Sequence, residues 1–321
     1  MTAHQEISNV PLVSVVIPTH NRKIAVTRCV ESILRSNHPR VEVIVVDDAS
    51  TDGTLDNLTT LFPNILLVRF EQERMVSASR NAGLKRARGQ LVFFVDDDNV
   101  VDPNTIAELV KGITANPTAG IAGPIMYYLR EPGNVWCSGV NRSLLTSITK
   151  FSTEKPNGSE DCYPTDDVPN AFMIRRRVFD EVGNFDQIEF AQHLAEGDFA
   201  VRAARKGFKA IMVPKAAIWH DVPTRKWPYR GARSLHMSSS RRAYEVARNR
   251  IWFMRKYAGP WRFVLFTLGF LPPIALSHIV IILADNDLGD RRGNCAESYA
   301  RGLIDGFSMI MPAGAGKATS N

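Results

Sequence analysis

The chain has 321 residues, 45% hydrophobic and 22% charged, which excludes a disordered polypeptide and leaves room for one large α/β domain with an appendage. A formal net charge of +6 calls for a surface that attracts anions, whether nucleic acid, anionic lipid or nucleotide diphosphates. Four scattered cysteines (Cys29, Cys137, Cys162, Cys295) show no metal-ligand spacing and predict a reduced, cytosolic setting, and the N-terminal ten residues lack the basic start and apolar core of a signal peptide.

From Pro11 the pattern alternates strand and helix. Val13 to Thr19 reads as a strand, followed by a helical face at Ile24, Val26, Val30, Ile33 and Leu34. Val41 to Val46 is a second strand closing on Asp47-Asp48, and Ser50-Thr51-Asp52-Gly53 offers turn chemistry and caps for a helix over Thr54 to Phe62. Ile65 to Val68 is a third strand. A helix over Ser77 to Arg88 stops at Gly89. A further helix opens at Pro103, and an apolar strand lies near Gly120 to Gly123. Helices of this length between strands predict right-handed crossovers and a mostly parallel sheet.

Leu91 to Val95 reads as a strand buried on both faces, and Asp96-Asp97-Asp98 follows it without a spacer. Three anions so close repel one another unless a cation sits among them, and hard oxygen ligands suit Mg²⁺ or Mn²⁺. The position is apt, because open α/β sheets bind ligands outside the carboxyl ends of their strands. The alternative is a solvated acidic turn. Asp47-Asp48 falls on the same edge and could accept hydrogen bonds from a base or ribose, or simply cap a helix. No G-x-x-x-x-G-K-[ST] or G-x-G-x-x-G loop occurs, so a phosphate is not held by a glycine cradle.

Four ordered motifs resemble those of family 2 glycosyltransferases of the GT-A fold: Val15 to Arg22, Val45 to Thr54, Ser79 to Gly83, and Phe94 to Asp98. The resemblance runs from about Pro11 to Pro214. It implies a Rossmann-like, mostly parallel mixed sheet with flanking helices and a metal-dependent, inverting transferase with a nucleotide-sugar donor. By position, Pro18, Thr19, Asn21, Arg22, Asp47, Asp48 and Arg80 would form the nucleotide-sugar pocket, with Asp97 near the donor sugar or ribose. Asp96 and Asp98 form the D-x-D pair, with Asp98 the surest metal ligand.

A hydroxyl acceptor needs a carboxylate to take its proton. Glu196 to Phe208 offers one at a helix start and resembles the family's E-D-x-D-L-x-x-R-x-x-x-x-G signature, with Ala195 replacing the leading glutamate and Glu196 in the place of the usual base aspartate. Glu196 and Asp198 are the two candidates; both could instead merely complement the helix dipole. His220, at the end of the next strand, matches a recurrent third metal ligand of the family, although a histidine there is often structural. The resemblance implies that Pro169 to Arg176, followed by Val182 to Asp186, forms the acceptor-site floor, although its apolar character could equally be core packing, and Arg130 to Asp167 is the candidate lid.

Between Arg225 and Arg262 stand eleven Lys or Arg against one acid, Glu245, interleaved with aromatics. Phe263 to Ala284 then lacks any Lys, Arg, Asp or Glu. A basic, aromatic flank beside an apolar stretch points to an anionic membrane surface rather than nucleic acid, a buried core helix being the alternative. Pro272-Pro273 should break this stretch into halves too short to span, predicting a helical hairpin in the cytosolic leaflet.

These readings give a catalytic domain over 1–225, with a nucleotide-sugar half at about 11–128 and an acceptor half at about 129–225. A helical membrane-association region follows over 226–321. The expected activity moves one sugar to a glycan or lipid-linked acceptor at the cytosolic membrane face. The processive mark Q-x-x-R-W is absent. A sugar-nucleotide nucleotidyltransferase, or a non-catalytic basic membrane- or nucleic-acid-binding protein, are the rivals.

Overall fold

The computed structural model describes residues 10–154, 161–223, 237 and 239–308. Part of the basic run (Arg225, Lys226, Arg230, Arg233), the tip of the candidate lid and the N-terminal nine residues lie outside them. The chain divides into two compact units, Met1–Arg142 with Thr149–Lys226, and Ser143–Ile148 with Trp227–Asn321.

The first unit is an α/β sheet. Its elements in order are β1 (Val13–Thr19), α1 (Lys23–Leu34), β2 (Val41–Asp47), α2 (Thr54–Leu61), β3 (Leu66–Arg69), α3 (Met75–Arg86), β4 (Leu91–Val95), β5 (Asn99–Val101), α4 (Thr105–Ala115) and β6 (Ala119–Tyr128). Then follow β7 (Val135–Cys137), β8 (Val140–Arg142), β9 (Thr149–Phe151), β10 (Tyr163–Thr165), β11 (Ala171–Arg175), α5 (Arg176–Val182), α6 (Ala195–Arg205) and β12 (Lys209–His220). The main sheet runs β10-β12-β6-β11-β4-β1-β2-β3, with β5 on β12 and β7 on β6. Pairing is parallel from β4 through β1 and β2 to β3, as the strand–helix alternation requires. It turns antiparallel at β11, which pairs with both β4 and β6. Among the described residues no helix separates β6 from β11, so no right-handed crossover is seen to enforce a parallel return.

Strands β1 and β4 are buried at every position, which is why they read as unbroken apolar runs. Helix α3 sits close on β1: a Cβ at Gly83 would lie 2.3 Å from Val16 Cγ1. That contact fixes the turn carrying Arg80 against the sheet edge. The described residues of the candidate lid include β7 to β10, with β8 and β9 forming a separate ribbon.

The second unit is helical. Helix α7 (Ser240–Tyr257) is capped by Ser239, whose side chain accepts from Arg242 N. After α8 (Pro260–Leu265), a π turn (Phe266–Phe270) and α9 (Leu271–Ala284) comes a short 3₁₀ turn (Asn286–Arg291), then α10 (Arg292–Ser308). The proline pair does not break the helix, contrary to the expectation from sequence. The N–H of Leu271 reaches back to Phe266 O, opening one wide turn just ahead of Pro272 and Pro273, so Pro260–Ala284 continues as one 25-residue helix. Helix α10 lies against α7 at Gly302, where a Cβ would meet Tyr244 O at 2.3 Å.

Candidate active site

Because β1, β2 and β4 are parallel, Thr19, Asp47 and the Asp96–Asp98 triplet emerge on one edge. The triplet is not left to repel itself. Arg80, 1% exposed, donates Nη2 to Asp96 Oδ1 at 2.8 Å and Nη1 to Glu196 Oε1 at 2.6 Å. Its guanidinium lies over the rings of Phe172 and Phe185, which explains how a helix arginine can be so deeply seated. Arg22 donates Nη1 to Asp97 Oδ1 at 3.0 Å and Asp98 Oδ2 at 2.8 Å, and Thr19 Oγ1 donates to Asp97 Oδ2 at 2.7 Å. Two arginines therefore already offset part of the charge, which lowers the cost expected of the triplet without a divalent metal.

Burial pushes the Asp97 carboxyl up to about 7 despite Arg22, and Asp96 up to about 6 despite Arg80. Burial acts the same way on Asp98, but His220 and Arg22 outweigh it and hold that carboxyl down at about 2. Asp98 is thus the most acidic of the three.

A metal fits best at Asp98. Its Oδ1 is buried, makes no hydrogen bond of normal geometry, and lies 3.3 Å from His220 Nε2. Carboxylate oxygen suits Mg²⁺ or Mn²⁺, and the imidazole, a ligand of transition metals, favours Mn²⁺ of the two. Asn170 Nδ2 sits 3.1 Å from His220 Nε2 and Trp136 meets the imidazole edge-on, so the ring is held on two sides. Among the described residues no three His, Cys, Asp or Glu groups are gathered at ligating distance. Asp96 is committed to Arg80, so it would have to turn to join Asp98 and His220.

The remaining residues divide by their contacts. Asp48 spends both oxygens on the N–H groups of Arg74 and Met75 at the start of α3. Asp47 Oδ1 accepts from Ser50 N, while its buried Oδ2 has no hydrogen-bond partner. Asn21 Oδ1 accepts from Thr51 N and ties the two loops together, and Pro18 is a buried member of β1. Asp198 is fully buried, and its Oδ2 takes both Nε and Nη2 of Arg202. Glu196, one turn edge away, keeps a side chain 21% exposed. An open cleft of about 560 Å³ is lined by Asn21, Arg22, Asp52, Asp98 and Asp221, among others.

Sequence reasoning missed Arg142 and Asp167. They pair at 2.6 Å, and the Arg142 guanidinium fills the space a Cβ would take at Gly197, beside Glu196. The glycine between two acids was the available signal. Among the described residues six non-glycine residues have positive φ, and five of them (Asn21, Ala49, Met75, Asn170, Leu194) stand in loops or at the start of α3 around this edge.

The mixed sheet and its acidic strand edge define the GT-A class of glycosyl-transfer fold. The family model for glycosyl transferase family 2 matches residues 14–183, and the chain belongs to that family. It is 29% identical over 214 residues to the Bacillus subtilis (strain 168) glycosyltransferase YwdF, covering 64% of this chain and 72% of that one. Five further relatives are covered over only 24–55% of their length. GalNAc-T7, solved with UDP, GalNAc and Mn²⁺, superimposes with a TM-score of 0.61 at 18% identity over 94% of this chain and 57% of that chain. The Pyrobaculum calidifontis mannosyltransferase PcManGT, in complex with GDP-Man and Mn²⁺, gives 0.54 at 20% identity, covering 94% and 87%.

Proposed function

We propose that this glycosyltransferase is inverting and moves one sugar from a nucleotide-diphosphate sugar to an acceptor hydroxyl. The observation that carries the reading is the fork of Arg80, which brings the Glu196 carboxylate to the same edge as the D-x-D pair. Glu196 is then the base. It takes the acceptor proton as the oxygen attacks the anomeric carbon in line with the departing diphosphate, and attack from the opposite face inverts that carbon. Asp198 positions the helix through Arg202. Thr19, Asn21, Asp47 and Asp97 line the nucleotide side.

Asp98 and His220, joined by Asp96, would hold Mg²⁺ or Mn²⁺. When bound, such an ion offsets the charge of the diphosphate leaving group. The GT-A neighbours carry UDP or GDP-Man together with Mn²⁺, which supports a nucleotide-sugar donor and a divalent ion for this chain.

We assign residues 1–225 to catalysis and 226–321 to association with the cytosolic membrane face, which favours a lipid-linked or other cell-envelope glycan as acceptor. The apolar Pro260–Ala284 helix supports that placement. The test is a screen of labelled UDP- and GDP-sugars against a membrane lipid extract, with and without excess EDTA. Metal-dependent label in the lipid fraction with an inverted anomeric centre is expected. Retention of configuration, or full transfer in EDTA, would overturn the assignment.

A further inference from the structure

The Pro260–Ala284 helix poses a burial problem. It is apolar on all sides, which is the signature of a core or membrane helix, yet only 28% of its most apolar window is buried. Phe266, Leu271, His278 and Ile282 face inward. The opposite side exposes Trp261, Val264, Leu265, Leu268, Leu276 and Val280, between 43% and 75% each. A continuous apolar strip of this length is more than a soluble surface carries without a partner.

Two observations identify what covers it. From Val246 to Ala284 the sequence holds no Asp or Glu and five basic residues (Arg248, Arg250, Arg255, Lys256, Arg262), a charge pattern complementary to an anionic surface. Trp261, 64% exposed, stands at the helix start, where an amphipathic ring suits the boundary between headgroups and hydrocarbon.

The orientation follows from the bundle. Helix α7 precedes the apolar helix and α10 follows it, and these two pack on each other through Gly302 and Gly306. A helix crossing the bilayer would leave α7 and α10 on opposite sides and pull that contact apart. Nor can residues 285–308 cross back, because they carry Asp285, Asp287, Asp290, Arg291, Arg292, Glu297, Arg301 and Asp305.

We propose that Pro260–Ala284 lies flat in one leaflet of an anionic membrane, its Leu268–Leu276–Val280 side in the acyl region and both ends in water. This rests on the membrane-association reading above and adds the mode, the face and the lipid class. The protein is neither spanning nor a broken hairpin: the wide π turn keeps the helix whole.

The test mixes the full chain with sealed phosphatidylcholine vesicles, with or without phosphatidylglycerol, and follows flotation. Binding is expected only with phosphatidylglycerol, and Leu268→Glu with Leu276→Glu should weaken it at least about tenfold. Both side chains are exposed, so folding is checked by circular dichroism, and Val280→Glu serves as a second variant. Arg241→Cys and Asn294→Cys, compared with the unsubstituted protein, should both react with an impermeant maleimide added outside. Protection of Asn294→Cys alone means a span and overturns the proposal, as does equal binding to both vesicles or undiminished binding by the glutamate variants. No binding to either vesicle, with a concentration-dependent dimer in solution, overturns the membrane reading itself.

Discussion

Arg80→Met is the substitution with the most to say about the site. The arginine is 1% exposed and joins two carboxylates, Glu196 at 2.6 Å and Asp96 at 2.8 Å. Methionine fills much of the stem volume and leaves both anions facing each other without a cation. Removing one partner of a buried ion pair costs about 3–5 kcal/mol. Here the carboxylates are 21% and 29% exposed and regain some water, which places the loss near the lower end, about 3 kcal/mol. For a unit of this size that is a fall of roughly 6–12 °C in Tm. The assay is thermal unfolding of the purified full chain, followed by circular dichroism, beside sugar-transfer turnover. Glu196→Gln added to Arg80→Met removes one of the stranded charges and should restore about 1–2 kcal/mol. A shift below about 2 °C, or no recovery in the double variant, would refute the bridging role.

Further outcomes follow from the same geometry. Chelation should abolish turnover, and Asp98→Ala should do the same while leaving the far-ultraviolet spectrum unchanged; full activity in EDTA counts against the Asp98–His220 site. Glu196→Gln should lower kcat by about 10²–10⁴ with donor affinity nearly intact, since glutamine still accepts from Arg80. Asp198→Asn should chiefly cost stability through Arg202, and the reverse pattern in transfer assays moves the base two residues along. Gly83→Ala places a Cβ 2.3 Å from Val16 Cγ1 and should destabilise by about 1–3 kcal/mol in denaturant titration, with loss of activity as the Arg80 turn is displaced.

Much of the first unit was legible because its signals are local. Periods of two and 3.6, turn residues and buried apolar runs placed β1 to β4 and their helices within about two residues of where they stand. The acidic strand ends were equally plain. What the residues could not reveal were pairings across the chain. Arg80 is an ordinary helix arginine in sequence, and only the return of α6, 116 positions on, gives it Glu196. The Arg142–Asp167 pair depends on a loop whose short strands carry no periodic signal. Positive φ at Ala49, Met75 and Leu194 is equally silent, since nothing in those residue types favours it.

The proline pair shows the same limit from the other direction. A local rule correctly states that Pro272 and Pro273 each remove a backbone donor, yet the helix persists because the lost bonds are absorbed one turn earlier. What decides the outcome is packing: Phe266 and Leu271 on either side of the wide turn are both buried against Ile251, Met254 and Ala258. That tertiary anchor holds the turn open where the isolated sequence would bend. A core substitution such as Ile251→Ala should therefore loosen the helix at the prolines before it unfolds α7, and amide exchange measured at Leu271 against that in mid-α7 would separate the two. Equal protection loss at both sites would mean that the π turn is sustained by the helix alone.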